Sequence, residues 1–258
     1  MRRFVGLLAA LVVLSTAGCG GGSQKAPEGA AKGGPAPVAT PIDPATAATI
    51  SGTVTLDGPA PAEEQINTSA DPVCKAQHTQ PMFTERAVVR DGKVQWAFVY
   101  VKSGLEGRVF TPPAEPVVLD QVGCRYMPHV LGCMVGQSVK LLNSDETLHN
   151  VHAMPTHSKA FNVGLAVKGM SLSRKFTAPE VMVPVKCDVH SWMQGFIGVM
   201  AHPFYAVTDE NGAFTIKGLP PGTYTLAVWH ETFGEQAVEV TLGPSETKTA
   251  DFTLKAKS

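Results

Sequence analysis

The chain has 258 residues, a formal net charge of -1 and a hydrophobic fraction of 44%. This length permits one large or two small domains with a sizeable core. Charged residues make up only 17% of the chain and form no basic stripe, so we expect no nucleic-acid partner.

Residues 1–18 are typical of an export signal. Arg2 and Arg3 precede an apolar run that is too short to span a bilayer as a mature helix. The small residues before Cys19 resemble a bacterial lipobox, although Thr16 stands where Leu is usual. The resemblance implies cleavage before Cys19 and lipid on its sulfur, and an ordinary signal peptide is the alternative. We therefore expect an extracytoplasmic protein, lipid-anchored to a bacterial membrane at the outer membrane or the periplasmic face.

Residues 19–48 are rich in Gly, Ala, Pro and Thr and contain few large apolar side chains. Such a segment cannot bury enough apolar surface to fold, so we predict a flexible, lipid-anchored linker. A flexible coil of this length has a root-mean-square span of roughly 30 Å. The folded part would then reach partners at some distance from the membrane.

From Thr49 the pattern changes to short apolar runs separated by Gly and Pro turns, and no segment shows an amphipathic helical stripe. This pattern predicts an all-β fold, a sandwich or barrel. Asp91-Gly92 between two apolar runs predicts a hairpin. The predicted strands are 50–56, 87–90, 94–101, 117–120, 138–142, 181–186 and 196–200.

Two motifs in the middle of the chain carry metal-binding side chains. Cys187, His190 and Met193 follow the spacing Cys-x2-His-x2-Met. A thiolate, an imidazole and a thioether suit copper, and trigonal copper sites add a second histidine. His149 supplies one, in a His-Asn-Val segment that follows an apolar strand and a polar turn. A short loop and a neighbouring strand could together close a four-ligand site.

These two motifs, within residues 116–203, resemble those of a cupredoxin of the plastocyanin and amicyanin type. The resemblance implies a Greek-key sandwich that holds one mononuclear type 1 (blue) copper, and ligation by His149, Cys187, His190 and Met193. It also implies that Asn150 joins the two ligand loops by hydrogen bonds. Asp188 and Val189 stand where the family usually has Ser or Thr and then Pro. A carboxylate beside the thiolate disfavours extra negative charge and so affects the reduction potential.

Other readings of these residues remain open. Cys187 and His190 could be a buried thiol beside a satisfied histidine, with Met193 as core filling. A structural zinc site is a further alternative, although zinc rarely takes Met. His152 and His157 could form a second metal site, or they could be loop residues near the first.

The chain has five cysteines, namely Cys19, Cys74, Cys124, Cys133 and Cys187. If lipid takes the first and copper the last, three remain in an oxidising compartment, which predicts one disulfide and one free thiol. Spacing alone does not fix the connectivity. We favour Cys74 with Cys124, because Cys124 and Cys133 flank a short segment.

Residues 204–258 form a separate unit with the pattern Gly-x-Phe-x-Ile followed by Leu-Pro-x-Gly-x-Tyr, from Gly212 to Tyr224. The pattern resembles the carboxypeptidase regulatory-like domain, a smaller transthyretin-type β-sandwich. Such a domain usually starts with a strand like 50–54. Residues 49–115, an N-terminal β segment, could therefore belong partly with 204–258, with the copper domain inserted, or two domains could follow in simple series. No carboxypeptidase zinc motif is present, so the resemblance implies no peptidase activity.

The leading hypothesis is a non-enzymatic electron carrier that passes single electrons between extracytoplasmic redox proteins. A copper-binding or chaperone lipoprotein is the second hypothesis, favoured by His152, Met154, His157 and the remaining free cysteine. The third is a surface binding module with a structural metal site. A copper oxidase or reductase would need further centres with His-x-His motifs, and the sequence contains none.

Overall fold

The computed structural model describes residues 38–256, which are built almost entirely of β-strands. The only helix in this part of the chain has six residues, so the predicted all-β fold class is confirmed. The predicted signal peptide, Cys19 and most of the predicted linker lie outside the described residues. No helix between residues 38 and 256 is long and apolar enough to cross a membrane.

The elements before residue 115 are β1 (Ala48–Asp57), α1 (Pro72–Gln77), β2 (Val89–Arg90), β3 (Lys93–Val94) and β4 (Phe98–Ser103). The turn between β2 and β3 contains Asp91 and Gly92 at φ 49° and 72°. Two positive φ angles are typical of a type I′ turn, for which Asp-Gly is a preferred pair, and the predicted hairpin is present. The strand predicted over 94–101 is interrupted instead, because Trp96 adopts φ 65°.

Nine strands follow, which are β5 (Val117–Val122), β6 (Arg125–Met127), β7 (Val130–Met134), β8 (Val139–Asn143), β9 (His149–Ala153), β10 (Phe161–Leu165), β11 (Ser171–Arg174), β12 (Glu180–Lys186) and β13 (Gln194–Met200). They form one sheet in the order β11-β8-β5-β6 and another in the order β10-β9-β12-β13-β7. Leu119 and Leu141 of the first sheet share a buried core with Val183 and Ile197 of the second. We call these two sheets the inserted sandwich.

The last six strands are β14 (Tyr205–Val207), β15 (Ala213–Leu219), β16 (Gly222–His230), β17 (Gly234–Leu242), β18 (Thr247–Thr249) and β19 (Phe252–Lys255). β1 pairs with β15 and β3 in antiparallel and with β18 and β19 in parallel orientation. β4 lies in a separate four-stranded sheet, whose strand order is β14-β4-β16-β17. Strands from both sides of the inserted sandwich therefore share sheets and one core, which we call the flanking sandwich.

The structure orders the last residues of the predicted linker. The backbone N–H of Thr40 donates to the carbonyl of Val109 at 2.7 Å, and the Thr40 hydroxyl accepts from the N–H of Val109 at 3.0 Å. Ile42 packs against the core of the flanking sandwich. Backbone hydrogen bonds and an apolar side chain therefore hold residues 40–42, near the end of the predicted linker, against the folded body.

The two sandwiches pack through aromatic rings that lie on glycines. Phe98 of β4 is fully buried, and its ring stacks on that of Tyr205 with centroids 5.5 Å apart. Gly132 of β7 and Gly198 of β13 are register partners, and both face these rings. A Cβ atom built on Gly198 would lie 2.5 Å from the Phe98 ring, and one on Gly132 would lie 2.3 Å from the Tyr205 ring. Only glycine lets the rings approach this closely.

We therefore expect Gly198→Ala to lower the free energy of unfolding by about 1–3 kcal/mol, the usual cost of overpacking a filled core. Urea unfolding followed by tryptophan fluorescence would measure the change. Gly164→Ala is the matched control, because its Cβ would meet only Leu148 at 4.0 Å. A Gly198→Ala variant as stable as the control would show that the rings are not confined by the glycine surface.

Candidate metal centre

Adjacent strands bring the two predicted ligand segments together. His149 is the first residue of β9, and the loop between β12 and β13 carries Cys187, His190 and Met193. β9 and β12 are paired in one sheet, with Val185 opposite Ala153. The start of β9 and the loop after β12 therefore meet at the same region of the inserted sandwich.

Three of the predicted ligands converge on one point. The Nδ1 atoms of His149 and His190 lie 2.9 Å apart, and Cys187 Sγ lies 4.0 Å from His190 Nδ1. All three ligand atoms lie within 4.8 Å of one another, and all three residues are buried. Zn–N and Zn–S bonds measure about 2.0–2.3 Å, so two atoms bound to the same ion lie roughly 3–4 Å from each other. The separations between these ligand atoms are similar. The donor set therefore fits a single soft metal ion.

Met193 closes the ligand loop. Its backbone N–H donates to the carbonyl of His190 at 2.9 Å, and its carbonyl accepts from the N–H of Cys187 at 3.0 Å. The Met193 side chain is 1% exposed and belongs to the same buried cluster as Cys187. The thioether is therefore kept inside the sandwich, in the same buried cluster as Cys187.

Asn150 joins the two segments. Its Oδ1 accepts from the backbone N–H of Asp188 at 2.7 Å and lies 3.2 Å from Cys187 Sγ. Its Nδ2 donates to Asn162 at 2.7 Å and to the Asp188 carboxylate at 3.2 Å. One buried amide therefore fixes β9, β10 and the ligand loop relative to each other.

The buried thiol has several polar contacts. The backbone N–H of His190 donates to Cys187 Sγ at 3.4 Å. Burial raises the pKa of Cys187, but the hydrogen bond to His149 and backbone donors outweigh it, so that the pKa is lowered from its ordinary value. This environment favours the thiolate, which is the form that binds metals.

Asp145 accepts a hydrogen bond from the ring nitrogen of His149 that points away from the candidate metal site. Its Oδ2 accepts from His149 Nε2 at 2.9 Å and from the backbone N–H of Cys124 at 2.7 Å, and its Oδ1 accepts from the N–H of Gly123 at 2.9 Å. Burial lowers the pKa of His149, but Asp145 and the Cys187 thiolate outweigh it and raise the pKa to about 9. With Nε2 donating to Asp145, Nδ1 of His149 faces the site, where a bound metal ion would take the place of the Nδ1 proton.

Asp71 supports His190 in the same way. Its Oδ2 accepts from His190 Nε2 at 2.9 Å, although the two residues are 119 positions apart. Sequence reasoning missed both carboxylates. The Asp71-Pro72 pair is a helix N-cap followed by proline at the first helical position, a signal that could have located α1 but not its contact with His190.

The structure forms a disulfide between Cys74 and Cys124, the pairing favoured from the sequence. Cys133 and Cys187 are the free cysteines of the described residues, and both are buried. Burial raises the pKa of Cys133 to about 12, so this thiol stays protonated in the core. Cys187 is therefore the cysteine that remains suited to bind a metal.

His152 and His157 do not join the cluster. His152 Nδ1 contacts the Asp188 carboxylate at 3.1 Å, and His157 Nδ1 contacts the carbonyl of Pro179 at 3.3 Å. Among residues 38–256, no group of converging ligand atoms includes either histidine. The Asp188 carboxylate faces His152 and Lys186, and their hydrogen bonds lower its pKa to about 2. Positive and polar partners therefore surround the carboxylate that directly follows Cys187.

Replacing Asp145 by Asn should destabilise the metal-free chain by about 1.5–3 kcal/mol, because a charged hydrogen bond to His149 is lost. The depressed pKa of Asp145 contributes stability above the unfolded value of about 4, and this is lost as the pH falls. The raised pKa of His149 contributes stability below about 6.5, which is lost as the pH rises through about 9.

The stability difference between wild type and Asp145→Asn should therefore be largest between pH values of about 4 and 6.5. Urea unfolding at several pH values would measure it. Glu146→Gln is the matched control, because Glu146 is exposed and forms only a surface ion pair with Lys168 at 3.2 Å. A difference that does not vary with pH would mean that Asp145 and His149 do not form an ion pair.

Residues 199–255 match the family model of the carboxypeptidase regulatory-like domain. This confirms the family predicted for the C-terminal unit, and the match covers less than a quarter of the chain. No curated protein sequence matches the chain.

Several solved structures are similar to part of the chain, and cupredoxins are among them. A purple cupredoxin from Nitrosopumilus maritimus is 22% identical, with a TM-score of 0.28, and the match covers 33% of this chain and 97% of that protein. An oxidized amicyanin with a proline-to-glycine substitution is 23% identical, with a TM-score of 0.30 and coverage of 39% and 97%. A copper-containing nitrite reductase from Thermus scotoductus SA-01 is 24% identical, with a TM-score of 0.31, over 38% of this chain. The chain spans only 24% of the length of that reductase.

Proposed function

We propose that this chain binds one copper ion through His149, Cys187, His190 and Met193 and carries single electrons between extracytoplasmic redox proteins. The observation that carries the proposal is the convergence of two imidazole Nδ1 atoms and one thiol sulfur within 4.8 Å in the buried core, together with a buried thioether in the same loop. Two histidines, a cysteine and a weak methionine form the trigonal donor set of electron-transfer copper sites. Structural zinc sites, in contrast, use four Cys or His ligands.

Each ligand has a separate task in this proposal. Cys187, as the thiolate, supplies the strongest donor atom and the most direct electronic route to a bound copper. His149 and His190 would hold the copper together with Cys187, and the Met193 thioether would be a weaker donor that tunes the reduction potential. Copper, when bound, supplies the one-electron chemistry.

The surroundings of the ligands favour electron transfer over substrate chemistry. Asp145, Asp71 and Asn150 hold the ligand side chains by hydrogen bonds within a packed core. Partners of this kind orient ligands and restrict their movement. A site that barely moves between oxidation states needs little reorganisation, which suits the repeated transfer of one electron.

The predicted location of the protein outside the cytoplasm agrees with electron transfer between extracytoplasmic proteins. A lipid on Cys19 would keep the folded body outside the cytoplasm. The Cys74–Cys124 disulfide suits an oxidising compartment, where such bonds persist. We therefore propose redox partners that are themselves extracytoplasmic proteins, reached from a membrane anchor.

The visible absorption spectrum of the purified chain loaded with Cu(II) would test the function. We expect an intense sulfur-to-copper charge-transfer band, bleached by reductant, because Cys187 lies among the converging ligand atoms. Cys187→Ser should abolish the band, and the control Cys133→Ser should leave it unchanged, since Cys133 is buried away from the ligand cluster. A colourless chain that binds zinc and Cu(I) equally well would contradict electron transfer and favour copper handling or a structural metal.

A further inference from the structure

Residues 59–83, which we call the cover segment, link β1 to the hairpin of β2 and β3 and lie against the inserted sandwich. The segment has its own internal contacts, because the backbone N–H of Ile66 donates to the carbonyl of Met82 at 2.8 Å. Ile66, Cys74 and Met82 are buried. The segment is therefore an ordered part of the body, and α1 lies within it.

Asp71 connects the cover segment to the candidate metal site with its two carboxylate oxygens. Oδ1 accepts from the backbone N–H groups of Val73 and Cys74 at 2.8 and 3.0 Å, which caps α1. Oδ2 accepts from Thr147 Oγ1 at 3.1 Å and from His190 Nε2 at 2.9 Å. One oxygen therefore holds the cover segment in shape, and the other holds the ring of His190 with its Nδ1 lone pair directed to the site.

The disulfide ties this arrangement to the other histidine. Cys74 Sγ lies 3.7 Å from His190 Nε2, and both bonded cysteines are fully buried. The backbone N–H of Cys124 donates to the carboxylate of Asp145, which in turn accepts from His149. The disulfide therefore joins the cover segment, which holds His190 through Asp71, to the turn at residues 123–124, which holds His149 through Asp145.

The cover segment also shields the Nε2 edge of the His190 ring through Asp71, and His190 is only 3% exposed. The ring of Trp192 covers another side, with its centroid 5.0 Å from that of His190, and its Nε1 donates to the carbonyl of Cys124 at 3.1 Å. With the cover segment and Trp192 in place, neither water nor a chelator has a direct approach to the His190 ring.

We propose that Asp71 is a positioning residue for His190 and that the Cys74–Cys124 disulfide locks the cover segment over the metal site. The inference rests on the proposed metal-binding function. Opening the lock is a thiol–disulfide exchange with a protein dithiol. The dithiol loses two electrons and two protons and becomes a disulfide, while Cys74 and Cys124 each gain one electron and one proton and become thiols. The cover segment is then held by hydrogen bonds and packing alone, and the metal site exchanges its contents faster.

Alkylation of the metal-free full chain by iodoacetamide tests the lock, with each cysteine followed by peptide mass spectrometry. Cys187 is 2% exposed and reacts only when the site opens. We expect a Cys74→Ser, Cys124→Ser double variant to label Cys187 at least about tenfold faster, because a local opening becomes easier. Cys133 is fully buried between the sheets and serves as the internal control for global unfolding.

Two results would overturn the lock. Labelling of Cys187 at the wild-type rate would mean that the disulfide does not control access. Labelling of Cys187 and Cys133 in parallel would mean that the bond holds the entire fold rather than the cover segment. Both readouts use the metal-free chain, so they can support the cover even if the copper spectrum is absent and the proposed function fails.

Asp71→Asn tests the positioning role. Asparagine is as good a helix N-cap as aspartate, so α1 keeps its cap, but an amide has only one acceptor oxygen for two sets of donors. We expect the His190 Nε2–H proton, observed by NMR in the metal-free chain, to lose its protection from exchange with water. In the copper-loaded chain, the visible band and the reduction potential should also shift.

Glu63→Gln is the matched control, because it makes the same chemical change at an exposed position of the same segment. It should leave the His190 proton and the copper band unchanged. Asp71→Asn with a protected His190 proton and an unshifted band would overturn the positioning role. Asp71→Asn and Glu63→Gln shifting the signals equally would also overturn it.

Discussion

Two imidazoles and one thiol face each other in the interior of this molecule, and each imidazole is held from behind by a carboxylate. Polar groups in a core are stable only when their hydrogen bonds are satisfied. Asp145 and Asp71 satisfy the Nε2 atoms, which leaves both Nδ1 atoms directed at Cys187. Without a metal these groups are crowded, and the proposed copper ion would bind between them. The surrounding structure is arranged to keep this unfavourable group of polar atoms in place.

The fold meets that demand by collecting residues that are far apart in the chain. The cover segment supplies Asp71, the turn before β9 supplies Asp145, and the loop after β12 supplies Cys187 and His190. β-Sheets make such convergence possible, because neighbouring strands place the ends of distant segments side by side. The Cys74–Cys124 bond then fixes the cover segment, which has few strand contacts of its own.

The sequence predicted the parts of the site whose spacing is local. Cys187, His190 and Met193 lie within one short loop, so their proximity is visible in the chain itself. His149 was found because a strand and a polar turn precede it. Asp71 was not found, because nothing in its neighbourhood indicates contact with a residue 119 positions away. For the same reason, the pairing of β1 with strands after residue 204 stayed an open alternative until the structure showed it.

The central place of β1 in its sheet bears on the order in which the chain acquires its structure. β1 pairs with β15, β18 and β19, so Val54 lies beside Phe252. Contacts this distant in sequence form late, because a long loop must close before any of them is made. The inserted sandwich has all its strands within residues 117–200 and needs no such closure. β1 therefore completes most of its pairing only after β15, β18 and β19 have been synthesised. The two sheets of the inserted sandwich can assemble while the flanking sandwich is still incomplete.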